Sequence, residues 1–299
     1  MQIKPASGKD YVLLTSLAAI FGLSFIFTTI SVREIPPVTV AAARLFVALL
    51  IVYPVMRIAG QNLPAPGKIW IYIFLSGMFG NALPFALVSW GQVKVDASLA
   101  AIFMAVMPLA TILLAHIMTS DEKFNRYKLA GVTLGFTGIV ILMGIDSLSS
   151  LGDESLRQFA ILCAAVCYAV NAIITRKLTS IPRYSMVAAL TIAASILLVP
   201  ASVFIDHPWN LSVSTTAVVS ILALAAVSTV LATILLLMII DRCGATFMSQ
   251  INFMVPLFGV LFGTLLLGER PAANAYIALI VILMALALSR YGQNKKPNN

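Results

Sequence analysis

The chain has 299 residues, of which 61% are hydrophobic and only 10% are charged, and its mean hydropathy is +1.01. A soluble globular chain is about 45–50% apolar and about 25% charged, so this chain has too little polar surface to coat a soluble globule. The net charge of +8 does not require a nucleic-acid partner, because membrane proteins accumulate Lys and Arg in their cytoplasmic loops. The composition therefore predicts an integral membrane protein in a lipid bilayer.

The apolar runs along the chain are about 18–25 residues long, the length that a helix needs to cross a hydrocarbon core of about 30 Å. They predict an all-α integral membrane fold rather than a barrel of short alternating strands. Ten transmembrane helices are predicted, at residues 11–32, 38–56, 69–90, 97–118, 129–145, 158–175, 185–205, 215–240, 245–267 and 272–289. The first run is too long for the apolar region of a signal peptide, so it is interpreted as the first span.

The charges in the loops predict the orientation. With the N-terminus in the cytoplasm, 14 of the 19 Lys and Arg residues fall at the inner ends and four fall at the outer ends, while Arg44 lies inside span 2. Cytoplasmic loops carry the excess of Lys and Arg in membrane proteins. Both termini are therefore predicted to be cytoplasmic.

Two pairs of segments suggest that the chain repeats itself. The segment KVDASLAAIFMAVMPLATILLAHIMTSDEK (94–123) parallels RCGATFMSQINFMVPLFGVLFGTLLLGER (242–270). Nearer the start of each half, SVREIPPVTVAAARL (31–45) aligns with KLTSIPRYSMVAAL (177–190). The similarities are weak, but they occur in the same order in both halves, which favours a duplication.

The duplication predicts two five-helix repeats, residues 1–148 with spans 1–5 and residues 149–299 with spans 6–10. Because five is odd, the second repeat starts on the opposite side of the membrane, so the repeats are inverted. Inverted repeats are typical of secondary transporters, whose substrate sites lie near the midplane at the repeat interface. The cavity is expected between spans 1, 3, 4, 6, 8 and 9.

Two prolines stand at related places in spans 4 and 9. Pro108 and Pro256 each remove a helix hydrogen bond and free a carbonyl one turn earlier, near Met104 and Asn252. Paired interrupted helices point to the binding site of a transporter. The alternative is a packed kink that a neighbouring helix satisfies.

The sequence resembles the ten-span branch of the drug/metabolite transporter superfamily, the EamA-type permeases. The resemblance rests on IPPVTVAAARL (35–45), SLAAIFMAVMPLATILLAHIMTSDEK (98–123), LAGVTLGFTGIVILMG (129–144) and VPLFGVLFGTLLLGER (255–270). It implies a secondary transporter of a small organic metabolite in the bacterial inner (plasma) membrane. Since TSDEK departs from the Gly-Glu-Arg turn of the family, the resemblance favours a role for Glu269 over one for Glu122.

A second resemblance concerns the substrate. The segment GNALPFALVSWGQVKVDASLAAIFMAVMP (80–108) is similar to proteobacterial riboflavin importers, which makes uptake of riboflavin or a similar planar vitamin the leading prediction. The alternative is an amino-acid or drug/metabolite exporter. A polytopic membrane enzyme is a remote alternative, because the sequence has no GxxxxGK[ST], GxSxG or HExxH motif. We therefore predict no enzymatic activity and no cofactor.

Arg44 is the clearest intramembrane charge, and function is the default hypothesis for such a residue. It can attract an anionic group of the substrate, snorkel outward along its stem, or cap the carbonyls of a broken helix. The other candidates outside the substrate site are Pro108, Pro256 and Glu269.

The predicted substrate-binding residues are amides, aromatic residues and their neighbours on four helix faces. Buried amides in lipid need partners, so these faces are expected to point into the bundle, as a binding site or as contacts between helices. A site with apolar walls and a few polar anchors suits a planar vitamin and an amino acid equally well. The candidates are Asn81, Pro84, Trp90, Phe103, Met107, Tyr168, Asn171, Gln250 and Asn252.

Two pairs of glycines have the small-xxx-small spacing of close helix packing, Gly131 with Gly135 and Gly259 with Gly263. They can also form a dimer face, so the protein is predicted to be a monomer or a homodimer. No metal-ligating cluster is predicted.

Overall fold

A computed structural model describes residues 6–118, 125–144 and 152–294. The described residues form helices, turns and loops without a β-strand, and ten helices are long and apolar enough to cross a membrane. This confirms the predicted all-α fold with ten spans. We number the helices α1 (Gly8–Val32), α2 (Pro37–Ile58), α3 (Ile69–Gly91), α4 (Ala97–Met118), α5 (Arg126–Met143), α6 (Asp153–Lys177), α7 (Arg183–Ile205), α8 (Thr215–Gly244), α9 (Thr246–Leu267) and α10 (Ala273–Gly292).

The predicted spans differ from the helices mainly at polar ends. Helix α6 begins at Asp153, five residues before its predicted start, because Asp153 and Glu154 occupy its first turn. Carboxylates stabilise a helix N-terminus through the macrodipole, so a polar first turn can be helical although it reads as a loop by hydropathy.

Helices α2 and α7 start in the same way, and the first turn of each is hydrogen-bonded to a side chain just beyond the end of the other. Each follows a proline in extended conformation, Pro36 or Pro182. The backbone N–H and the hydroxyl of Thr39 donate to Asp206 Oδ2 just beyond α7, both at 2.8 Å. At the other end of the pair, Ser185 N–H donates to Gln61 Oε1 just beyond α2, at 3.0 Å. The bonds from the N–H groups of Thr39 and Ser185 satisfy helix-start donors that otherwise have no partner.

Helices α5 and α10 form a second pair that is also joined at both ends. Asn125 Nδ2 donates to the carbonyl of Gly292 at 2.6 Å. Asn274 Nδ2 donates at the opposite end to the carbonyls of Ile141 and Leu142, at 3.2 and 3.3 Å. These bonds place the start of each helix against the end of the other.

The glycines of the two small-xxx-small pairs pack against other helices of the same chain. A Cβ added at Gly131 would lie 2.0 Å from Ser289 Oγ on α10, and one added at Gly259 would lie 2.2 Å from the Cβ of Ala101 on α4. Gly263 likewise faces Ser98 on α4. Close packing within the chain therefore occupies these glycines, and the homodimer stays a prediction that needs another surface.

Each helix of the first half makes contacts that match those of its counterpart in the second half. Helix α1 packs against α8 and α9, and α6 packs against α3 and α4, while α2 packs against α7 and α5 against α10. Thr39 and Ser185 lie 146 positions apart, as do the intrahelical prolines Pro54 and Pro200. This pattern supports the predicted pair of inverted repeats, whose boundary at residues 148 and 149 lies outside the described residues.

Candidate functional site

Helices α3 and α8 each carry one π-helical turn near the middle. The turns are Met78–Ala82 in α3 and Ala226–Leu231 in α8, at corresponding positions of the two halves. A π-turn inserts a residue into the helix and often marks a functional site. Neither π-turn was predicted from the sequence. A signal was available for the turn of α8, since the pair Ser228 and Thr229 interrupts a long apolar run.

Arg44 binds the π-turn of α8. Its Nε donates to Thr229 Oγ1 at 2.7 Å, and its Nη2 donates to the carbonyl of Ser228 at 3.3 Å. Its guanidinium carbon lies 3.8 Å from the centre of the Phe85 ring on α3. Arg44 is only 7% exposed, so it does not snorkel outward, and it joins α2, α3 and α8 in the core.

Thr229 connects this arginine to the distorted backbone. Its hydroxyl accepts from Arg44 and donates to the carbonyl of Leu224, five residues earlier, at 2.8 Å. A π-turn leaves carbonyls out of the regular ladder, and a hydroxyl of this kind can satisfy one of them. The role of Arg44 as a cap on a distorted helix, one of the three alternatives, is therefore present in the structure.

Asn171 on α6 packs against the π-turn of α3 at Gly80 and bonds to Ser76, two residues before the turn. Its Oδ1 accepts from Ser76 Oγ at 2.6 Å, and a Cβ added at Gly80 would lie 2.5 Å from its Nδ2. Asn81, the next residue of that turn, is half-buried, and no hydrogen bond of its side chain to another described residue is present. Helices α3 and α6, two of the spans expected around the cavity, are thus in direct contact beside Asn171.

Tyr168 lies three residues before Asn171, on the same face of α6. Tyr168 is half-buried. Phe85, which stacks on Arg44, lies in α3 just after its π-turn. Arg44 of α2 therefore contacts both the π-turn of α8 and Phe85 of α3.

Helices α4 and α9 are interrupted, but not at their prolines. The helical ladder of α4 breaks at Ala105 and Val106, so Pro108 is the second residue of the segment Met107–Met118. In α9 the break is at Ser249 and Gln250, six residues before Pro256. A proline in the first turn of a helix costs little, because its missing N–H has no helical partner there.

The candidate residues of α4 and α9 differ in burial. Phe103 is 0% exposed and packs in the apolar core, while Met107, Gln250 and Asn252 are half-buried beside the two breaks. Pro84 is buried in α3 just after its π-turn. Of these five residues, the three half-buried ones are the better candidates for contact with a ligand.

Trp90 lies at the predicted outer end of α3, about 12 Å along the helix from the π-turn. The guanidinium of Arg157 covers one face of its ring at 3.9 Å, and Arg157 Nη1 donates to the Trp90 carbonyl at 2.8 Å. The structure therefore separates Trp90 from the Arg44 cluster and gives its ring a partner from the chain itself.

Glu269 caps the start of α4. Its carboxylate accepts from the backbone N–H groups of Ala97 and Ser98, at 2.8 and 2.9 Å, and from the Ser98 hydroxyl. Asp96 stands at the usual capping position but makes no such bond. Burial and the nearby carboxylates of Glu269 and Glu154 raise the pKa of Asp96. The corresponding Glu122 lies outside the described residues.

A similar contact joins two loops at the helix ends predicted to be outside. The Glu34 carboxylate accepts from the backbone N–H and the hydroxyl of Ser214, at 2.7 and 2.8 Å, and these bonds lower the pKa of Glu34. Within the described ranges, no group of three His, Cys, Asp or Glu side chains could hold a metal ion.

Comparisons with known proteins agree with this architecture. The chain is 24% identical to a "Probable amino-acid metabolite efflux pump" of Escherichia coli (strain K12), over 96% of each chain. It is 24% identical to a protein of the same name in Salmonella typhimurium, over 96% of each chain, and 22% identical to "Uncharacterized transporter YoaV" of Bacillus subtilis, over 93% of this chain and 95% of that one.

A solved crystal structure aligns with 97% of this chain and 100% of its own, with a TM-score of 0.65 and 16% identity. At that identity the match shows the fold alone. The sequence profile described as "EamA-like transporter family" matches residues 9–144 and again residues 156–291. These relatives and this family are transporters rather than enzymes, and the resemblance to EamA-type permeases is confirmed. The chain belongs to the EamA-like transporter family.

Proposed function

We propose that the protein is a secondary transporter that exports a small metabolite of the amino-acid type across the bacterial inner membrane. The two repeats would rock about the interface between them and open the site to each side in turn. The efflux pumps of Escherichia coli and Salmonella typhimurium, similar over nearly the whole length, support export. They favour the exporter alternative over riboflavin uptake, which stays a prediction without support from these relatives.

The observation that carries the proposal is the pair of π-turns in α3 and α8 with polar partners from other helices. Asn171 meets one turn and Arg44 meets the other. Polar side chains at membrane depth are costly and are retained mainly where they face a cavity or each other. Broken helices at matched places in two repeats are the usual position of a transporter's site.

Efflux from proteoliposomes tests the proposal. Vesicles containing the purified protein would be loaded with a labelled amino acid, an organic acid or riboflavin, and release would be followed against protein-free vesicles. Release of amino acids or their derivatives supports the exporter. Release of riboflavin alone would overturn the amino-acid assignment, and release of none of the compounds would contradict the proposed function.

Replacing Asn252 with alanine is expected to raise the KM of efflux about two- to tenfold, with membrane insertion intact. The amide is half-buried beside the α9 break, and one neutral hydrogen bond contributes about 0.5–1.5 kcal/mol. The matched control is Asn210→Ala, which changes an exposed asparagine in an outer loop. Unchanged kinetics in the Asn252 variant would remove this residue from the site.

The orientation can be tested with single cysteines in a chain whose three native cysteines are replaced. Lys94 lies in a loop predicted outside and Lys68 in a loop predicted inside. In intact cells, a membrane-impermeant maleimide is expected to label Lys94→Cys and to label Lys68→Cys only after lysis. The reverse pattern would contradict the predicted cytoplasmic termini.

A further inference from the structure

Arg44 is a buried cation without a described counter-ion. Its neighbours are the Thr229 hydroxyl, the Ser228 carbonyl and the Phe85 ring, which are all neutral. The ion pairs among the described residues join Arg157 to Asp153, Arg183 to Asp241 and Arg242 to Asp10, and none of them includes Arg44. An uncompensated charge in a low-dielectric core is unfavourable, so this position favours an anion when one is available.

The same place has hydrogen-bond donors that remain available. A guanidinium has five N–H groups, and the two described bonds of Arg44 use one at Nε and one at Nη2. The Ser228 hydroxyl is buried, with its residue 2% exposed, and has no hydrogen-bond partner in the structure. This hydroxyl belongs to the residue whose carbonyl accepts from Arg44, in the π-turn of α8.

The arrangement of donors indicates the shape of the anion. The edge of a guanidinium presents parallel N–H groups that match the two oxygens of a carboxylate. Phe85 covers a face of the guanidinium and leaves its edges to hydrogen bonds. A phosphate group carries more charge and is usually bound by several cations or by a row of backbone N–H groups, which this turn does not supply.

We propose that Arg44 and Ser228 bind the carboxylate of the transported metabolite, at the π-turn of α8. This inference rests on the proposed function, because it names the chemical group by which the exporter selects its substrates. Asn81 lies in the π-turn of α3, four residues before Phe85, and Asn171 packs against that turn, so both amides are candidates to contact the rest of the ligand. The substrate class is thus amino acids and related organic acids.

The test uses acetate, which is small enough to reach the turn whatever side chain the true substrate has. The melting temperature of the purified full-length protein would be measured in acetate, in acetamide and in chloride, at one pH and one ionic strength. Acetamide has the shape of acetate without the charge, and chloride has the charge without the two oxygens. Acetate alone is expected to raise the melting temperature in a saturable way, because a ligand of the folded state stabilises it by mass action.

Ser228→Ala is expected to weaken the apparent affinity for acetate about tenfold, because a hydrogen bond to a charged group contributes about that factor. The matched control is Ser195→Ala, which removes another buried hydroxyl without a partner, on α7. Arg44→Gln is expected to abolish the acetate effect. Should that variant fail to fold, Arg44→Lys keeps the charge without the parallel N–H groups and is expected to weaken acetate binding.

Equal stabilisation by acetate and acetamide would overturn the proposal, and so would equal stabilisation by chloride and acetate. An acetate response that is unchanged in Ser228→Ala would remove the hydroxyl from the site and overturn the proposal as well. The efflux assay keeps this failure distinct from failure of the transporter. If acetate binds but no organic acid is released, the protein has an anion site and the proposed exporter is contradicted. If amino acids are released equally well by Ser228→Ala and by Arg44→Gln, the exporter is supported and the carboxylate site is contradicted.

Discussion

Replacing Glu269 with alanine is expected to lower the apparent melting temperature by about 5 °C. The carboxylate accepts from two backbone N–H groups at the start of α4 and from the Ser98 hydroxyl. These N–H groups have no partner inside the helix, and loss of such a cap costs about 1–2 kcal/mol. For a domain of this size, each kcal/mol corresponds to about 2–4 °C. The measurement is thermal unfolding of the purified protein in a fixed detergent.

Two further variants separate the cap from a general effect of charge. Glu269→Gln keeps the size and one acceptor oxygen, so it is expected to lose about half as much stability as Glu269→Ala. Arg270→Ala changes the exposed neighbouring residue and is expected to leave the melting temperature within about 1 °C. Glu269→Gln relieves the repulsion that contributes to the raised pKa of Asp96, which offsets part of its loss. A melting temperature as high in Glu269→Ala as in the unchanged chain would contradict the cap.

The membrane helices were predictable because length and apolar composition alone decide whether a segment can cross a bilayer. The ends were less predictable, as α6 shows, because its first turn is polar and helical at once. The partnership of Thr39 with Asp206 was out of reach of the sequence, since the two residues lie 167 positions apart. Hydropathy predicts that α2 and α7 exist, but it contains no information on which helix ends meet.

The candidate site was predictable in its residues more than in its geometry. Asn81, Asn171 and Arg44 stand out because polar groups are expensive in an apolar helix. Hydropathy does not predict a π-turn as such, because one inserted residue does not change the composition of a span, and the polar pair Ser228 and Thr229 marks only the position of the turn in α8. Trp90 is close to Asn81 in sequence, but a helix rises 1.5 Å per residue, so Trp90 lies well beyond the π-turn, where Arg157 covers its ring.

Pro108 and Pro256 lie in interrupted helices, but they do not mark where the interruptions are. In α4 and α9 the ladder breaks at Ala105–Val106 and at Ser249–Gln250, and neither break is at a proline. Pro108 begins a new segment, while Pro256 lies inside one. A proline therefore indicates that a helix tolerates interruption nearby, but the register of the break depends on packing.

Replacing Gly80 with alanine is expected to reduce kcat/KM for efflux at least tenfold while the protein still inserts into the membrane. The new Cβ would lie 2.5 Å from Asn171 Nδ2 and 2.7 Å from its Cγ, which is closer than real contacts allow. The amide must move, and its bond with Ser76 Oγ is then lost. Overpacking of this kind costs about 1–3 kcal/mol, so the melting temperature is expected to fall as well.

A double-mutant cycle makes the cause of that loss testable. Asn171→Ala removes the side chain that the new methyl group meets, so Gly80→Ala combined with Asn171→Ala is expected to be more stable than the sum of the single effects predicts. Gly8→Ala is the matched control, since a Cβ at this helical glycine meets nothing within 4 Å. Additive losses in the cycle would show that Gly80 acts through something other than the Asn171 amide. If the double variant recovers stability but not efflux, the Asn171 amide itself is needed for transport. In that variant the packing is repaired, while the amide beside the π-turn of α3 is still absent.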